Sequence, residues 1–182
     1  MVDKKNILRV KVSNSIGINV DKCYQCGKCS AGCPVSGNMD FTSSVMMRMI
    51  QIGEEIIDKQ ILRSQTIWVC ISCGICLSRC PMEIDIPEII DYLRQCSLEK
   101  KMQNKKSERN IIPFHYSFLN SIKYTGRIYE IGVAVEYKLR TFNFFQDLSL
   151  AFYMFIKGKL PLFPNIIKNR KHLSFFFKKY KK

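Results

Sequence analysis

Eight cysteines in two copies of one pattern constrain this chain more than any other feature. The first copy runs Cys23-Tyr24-Gln25-Cys26-Gly27-Lys28-Cys29-Ser30-Ala31-Gly32-Cys33-Pro34. The second runs Cys70-Ile71-Ser72-Cys73-Gly74-Ile75-Cys76-Leu77-Ser78-Arg79-Cys80-Pro81. Both read C-x2-C-x2-C-x3-C-P, and every matching position is offset by 47 residues. Nine cysteines in 182 residues exceed what an ordinary core needs, and an odd number cannot all pair as disulfides within one chain.

This run is the bacterial-type signature of cubane iron–sulfur ligation. Three cysteines with two residues between neighbours wrap a tight loop, so that three thiolates converge on three corners of one cubane. The fourth, followed by Pro, lies where the chain turns away, and in two-cluster ferredoxins it reaches the other cluster. On that pattern one 4Fe–4S cluster takes Cys23, Cys26, Cys29 and Cys80, and a second takes Cys70, Cys73, Cys76 and Cys33. Each cluster then staples the two halves of the repeat together, and the metal-free chain is expected to lose its fold. The competing reading is a pair of structural zinc sites. Those usually pair two C-x2-4-C knuckles across a longer gap, without a third close cysteine or the trailing Pro. Cys96 lies outside both motifs and reads as a small core residue. His115 and His172 have no ligand-spaced partner.

The spacer between the motifs decides the fold class. A ferredoxin built from two short hairpins needs far fewer than the 36 residues that separate Cys33 from Cys70. Residues 39–65 read as helix, with Val45, Met46, Met49, Ile50, Ile56 and Ile57 near a 3.6-residue period and Asp40 or Thr42 as the cap. After the second motif, Asp85-Ile86-Pro87-Glu88 reads as a helix start: Asp85 caps, Pro87 sits in the first turn, and Ile89, Ile90, Leu93 and Cys96 follow. The expected fold is all-α, a helical two-cluster ferredoxin domain with a C-terminal helical appendage. Its divisions are a lead over 1–20, the cluster domain over 21–98, a polar linker over 99–110, and a basic, aromatic helical extension over 111–182. In the lead, Leu8, Val10 and Val12 alternate with Arg9 and Lys11, which suits a short strand. In the extension, 114–140 has helical periodicity and 142–157 reads as a further amphipathic helix; Gly158, Pro161 and Pro164 then break the pattern.

Composition narrows the setting. Hydrophobic residues make up 47% and charged residues 24%, which suits a globular chain and excludes a disordered one. Met1 to Arg9 carries charge and no apolar run, so no secretory leader is expected. The apolar stretch from Leu148 to Ile156 is nine residues, against the ~20 that a membrane span needs. A reducing cytoplasm is the expected compartment, where clustered cysteines bind metal. The net charge of +14 is uneven: residues 1–110 hold 16 basic and 12 acidic side chains, residues 111–182 hold 13 and 3. Of 21 aromatic residues, 17 lie in that second part. Such a basic, aromatic appendage suits docking to an acidic partner or, less directly, to a membrane surface. No nucleic-acid recognition motif accompanies it.

Several segments together resemble the C subunit of heterodisulfide reductase. They are the two cysteine motifs, Ser30-Ala31-Gly32-Cys33-Pro34, Met47-Arg48-Met49-Ile50-Gln51-Ile52-Gly53, Ile67-Trp68-Val69-Cys70 and Ile84-Asp85-Ile86. Beyond the motifs, Phe118-Leu119, Gly126-Arg127 and Gly158-Lys159-Leu160 also match. The second motif and the aromatic tail are more similar to bacterial relatives than to the methanogen form. Those relatives are associated with electron bifurcation, methylene-tetrahydrofolate reductase complexes or sulfur oxidation. The resemblance implies an electron-relay subunit that passes single electrons between a flavin- and cluster-containing A subunit and a cysteine-rich B subunit. The chain has no adjacent Cys-Cys pair and no glycine-rich dinucleotide fingerprint, so catalysis is expected on the partners. Two other readings stay open: the iron–sulfur subunit of another flavin dehydrogenase (glycolate, glycerol-phosphate or fumarate type), and a basic nucleic-acid- or membrane-surface-binding protein with a structural metal core.

Overall fold

A computed structural model describes residues 7–144, 148–158, 163–164, 166–167 and 177. Every regular element among them is helical, and no strand occurs. The all-α expectation therefore holds. The chain divides into two compact units, Met1–Ser107 and Glu108–Lys182.

The first unit contains α1 (Leu8–Ile16), α2 (Lys28–Ala31), α3 (Ser43–Ile52), α4 (Glu55–Arg63), α5 (Thr66–Val69), α6 (Ile75–Ser78) and α7 (Ile86–Glu99). Helix α7 is the element on which the others converge, packing against α1, α4, α5 and α6. Its start follows the local signals. The Asp85 carboxylate accepts the Glu88 N–H at 3.0 Å, and Pro87 occupies the first turn, where its missing N–H costs no intrahelical bond. Ile86, Ile89, Ile90, Leu93 and Cys96 are buried along its inner face. Each Ile or Leu so buried contributes roughly 1.5–3 kcal/mol. Cys96 is thus a core residue.

Three local expectations change. The segment read as a strand is α1: Leu8 and Val12, one helical turn apart, are fully buried, whereas strand alternation would have buried Val10 equally. The single helix over 39–65 is two helices. Gly53 takes a left-handed φ of 68° and closes α3, and α4 begins after extended Glu54. In α3 Met46, Met47 and Ile50 face inward and Val45 is exposed; in α4 Ile61 and Leu62 face inward and Ile56 is exposed. Thr42 stands at the cap position of α3 without a capping bond, and Asp40 instead accepts the Gln65 N–H.

The second unit is built on α8 (Ile112–Thr125) and α9 (Glu130–Thr141), which pack together across a short loop. Ser121 organises that loop, its hydroxyl accepting the Tyr129 N–H at 2.8 Å. The Glu136 carboxylate takes the Asn120 amide at 2.6 Å and pairs with Arg140. Helix α10 (Leu148–Ile156) is shorter than the helix expected over 142–157. It is not amphipathic at its described positions: Leu150, Phe152, Tyr153 and Ile156 are all exposed. Segment 99–110, read as a polar linker, holds the end of α7 and a π-helical turn at Ser107–Ile111. His172 and most of the Lys/Phe-rich tail lie outside the described residues. No helix among the described residues is long and apolar enough to cross a membrane.

Candidate metal centres

The two cysteine loops share one backbone path. In each, the second residue after the first cysteine is left-handed, Gln25 at φ 63° and Ser72 at φ 50°. Two residues on, Gly27 and Gly74 both sit at φ 76° and open the one-turn helices α2 and α6. That path turns each loop back on itself, so that its first three cysteines face one space. Helices α2 and α6 pack against each other, which brings the trailing cysteine of each motif to the other loop. Ser30 anchors the first loop by accepting the Ser44 N–H at the start of α3.

Two cavities result. Cys23, Cys26, Cys29 and Cys80 line one, which encloses about 330 Å³ of atom-free space, part of it open to solvent. Cys33, Cys70, Cys73 and Cys76 line the other, of about 340 Å³. Apolar side chains complete the walls: Met47, Ile84 and Ile86 in the first, Val35, Met39 and Ile90 in the second. Among the described residues, no three Cys, His, Asp or Glu side chains crowd around a single point as ligands of one ion would. The thiols stand on the walls of the two spaces. Four thiols around one cavity fit the donor set of a cubane, whose iron corners lie apart from one another.

Burial pushes the Cys76 thiol up to about 11, and neighbouring Cys70 adds to the shift. Burial likewise raises Cys29 and Cys70. Metal-free, these groups are protonated at neutral pH, so binding as thiolates releases protons. Cys26 and Cys73, the middle cysteines of the triplets, are exposed and form the solvent edge of each site.

Donors around the thiols repeat with the motif. Gln25 Nε2 donates to Cys23 Sγ at 3.4 Å, and the Ser72 N–H donates to the Cys70 thiol. The Ser30 and Leu77 backbone N–H groups serve Cys29 and Cys76 in the same way. Ile84 N–H adds a contact to Cys80 Sγ at 3.4 Å. The cluster loops carry two cations, Lys28 and Arg79, both exposed; the Arg79 guanidinium lies across Gly32, where a Cβ would come within 2.7 Å of it.

Two residues that motif reading passes over hold the loops from behind. Gln51 Nε2, on α3, donates to the carbonyls of Val20 and Cys23 at 2.9 and 2.8 Å. Arg94, on α7, donates from Nε to the carbonyl of Ile67 at 2.6 Å and from a terminal nitrogen to that of Cys70 at 2.5 Å. Gln51 and Arg94 are 43 residues apart rather than 47, so the repeat does not relate them. Only the placing of a cation on α7, among apolar neighbours, hints at Arg94 in the sequence.

Residues 19–84 match the family model for the 4Fe-4S dicluster domain. Both cysteine motifs lie within the matched residues. The chain is also similar to the iron-sulfur C subunit of the CoB--CoM heterodisulfide reductase of Methanopyrus kandleri, 27% identical over 63% of this chain and 57% of that relative. The C2 subunit of the H(2)/formate:CoB-CoM heterodisulfide,ferredoxin reductase of Methanococcus maripaludis is 33% identical over 45% of this chain and 42% of its own length. The C subunit of the H(2):CoB-CoM heterodisulfide,ferredoxin reductase of Methanothermobacter marburgensis is 26% identical over 51% and 48%. The chain spans about half the length of the curated relatives it matches.

Proposed function

We propose that this chain is the electron-relay iron–sulfur subunit of a heterodisulfide reductase-like complex, holding two 4Fe–4S clusters. Cys23, Cys26, Cys29 and Cys80 hold one, and Cys33, Cys70, Cys73 and Cys76 hold the other. The observation that carries the reading is the division of eight cysteines between two cavities, with the last cysteine of each motif on the opposite side. The dicluster match and the similarity to heterodisulfide reductase C subunits support it.

When bound, such clusters supply one-electron transfer. The chain's own residues do the rest. The eight thiolates bind and fix the separation of the two sites, because the crossed cysteines tie the loops together. Met47 and Ile90, both fully buried, keep water from the inner walls. Exposed Cys26 and Cys73 mark the edges through which partners exchange electrons. No residue here is assigned a catalytic role; the disulfide chemistry belongs to a cysteine-rich B-like subunit and the donor side to a flavin-containing A-like subunit. The basic appendage over 111–182 docks on an acidic face of one of these partners.

Anaerobic purification with iron, sulfide and zinc quantitation, low-temperature EPR and affinity capture of partners tests this. The expected result is about eight irons per chain in two reducible clusters, with a flavoprotein and a cysteine-rich subunit captured. Zinc in place of iron, or a single cluster, overturns the cofactor reading. Two clusters with a different dehydrogenase as partner overturn the complex and keep the relay.

A further inference from the structure

We infer that Arg94 sets the two sites apart in reduction potential, so that an electron shared between them rests on the set formed by Cys33, Cys70, Cys73 and Cys76. The inference rests on the two-cluster reading above and deepens it by giving the relay a direction of preference.

The two sites are nearly the same object made twice, and among the charges that differ between them Arg94 is the one mostly shielded from water. The clamped carbonyls are themselves equivalent: Val20 and Cys23 in the first loop, Ile67 and Cys70 in the second, each pair three residues apart and offset by 47. Neutral donors to the thiols are matched as well, Gln25 with Ser72 and Ser30 with Leu77. The extra Ile84 N–H at Cys80 is a neutral dipole. What differs is the clamp. An amide holds the first loop and a guanidinium holds the second.

Reduction adds one negative charge to a site. A fixed positive charge nearby stabilises the reduced form and raises the potential, and net local charge is among the levers that set cluster potentials. Burial decides how far such a charge acts. The Arg94 side chain is 14% exposed, whereas Lys22, Lys28, Arg48 and Arg79 are exposed; Arg48 donates to Gln51 Oε1 at 3.4 Å on the open surface, and Arg79 lies across Gly32. Charges in water are screened within ~8 Å at physiological ionic strength, and partly buried ones much less. Asp91 pairs with Arg94 at 2.7 Å but is 56% exposed, so solvent takes up much of its field. Arg94 remains in contact with the backbone of a ligand cysteine. The electron balance is internal: what the first site gives up the second gains.

The test is a mediated redox titration of the cluster-loaded full chain, reduced stepwise with dithionite and read by low-temperature EPR. The unsubstituted chain should show two midpoints. Arg94→Gln, which keeps donors and removes charge, should lower the upper midpoint alone, by at least about a tenfold change in the equilibrium between the sites, or about 59 mV for one electron. Arg94→Lys should hold the upper midpoint above that of Arg94→Gln. Independently, Gln51→Lys should raise the lower midpoint and narrow the gap, which decides the matter if Arg94→Gln loses a cluster. Two titrating clusters whose midpoints ignore both positions, or move together, overturn this inference and leave the two-cluster reading standing. Zinc, or one cluster only, overturns both.

Discussion

Gln51 and Arg94 perform the same mechanical task at opposite sites. Each bridges two carbonyls that precede or belong to the first cysteine of a loop, from a helix distant in sequence. Gln51→Leu keeps the volume and leaves the Val20 and Cys23 carbonyls without the amide. Each lost bond in this half-buried setting costs roughly 1 kcal/mol. The thermal midpoint of the loaded chain should fall, and a chelator should strip iron faster from the site that includes Cys23. An unchanged stripping rate would show that the clamp does not hold the loop.

The crossing of the fourth cysteines predicts which single substitutions resemble each other. Cys80→Ser should perturb the same EPR signal as Cys23→Ser, although Cys80 lies in the second motif. Cys33→Ser should match Cys70→Ser. Pairing by motif, with Cys33 matching Cys23, would mean that each loop closes on its own cluster.

Gly27 and Gly74 share a φ of 76°, and a Cβ built on either meets nothing within 4 Å. Alanine at these positions therefore brings backbone strain without a clash, roughly 1–2 kcal/mol for the left-handed conformation. Gly27→Ala and Gly74→Ala should lower the thermal midpoint by similar amounts. A large difference between them would mean that the loops do not share one backbone requirement.

Asp58 is buried and accepts the Leu8 N–H at 2.7 Å, which pins the start of α1 to α4. Its other carboxylate oxygen has no hydrogen-bond partner among the described residues. Burial raises the Asp58 pKa, so the folded state holds its proton more tightly than the unfolded chain does. The stability it contributes is fully present below the unfolded value of about 4 and is lost as pH rises through the folded value. Asp58→Ala leaves the Leu8 N–H without its acceptor and should cost about 1–3 kcal/mol. Thermal melts over a pH series should show the margin over Asp58→Ala narrowing as pH rises. A margin that widens with pH would contradict the shift.

Local signals were legible wherever a short stretch carries its own physics. Asp85, Pro87 and the Ile89–Ile90–Leu93 spacing define α7 without help, because a cap, a first-turn proline and a periodic apolar face act within a few residues. The start of the chain misled because Leu8-Arg9-Val10-Lys11-Val12 satisfies both periods, alternating for a strand and placing Leu8 and Val12 one helical turn apart. Packing against α3 and α7 settles it as helix. The spacer stripe misled because Gly53 is also compatible with a helix interior, at a cost. Only the packing of α3 shows that Met47, not Met49, stands on the wall of the first cavity.

By itself, the sequence determined the two loops: the spacing of Cys, Gly and Pro is local geometry, and the 47-residue offset guarantees two similar sites. It also determined an all-α chain, since the spacer is too long and too helical for hairpins. The tertiary structure alone decided what stands behind each loop. Whether an amide or a guanidinium reaches the first cysteine's carbonyl depends on how α3 and α7 pack. That packing is set by core residues scattered from Leu8 to Leu93, which no repeat in the sequence relates to the motifs.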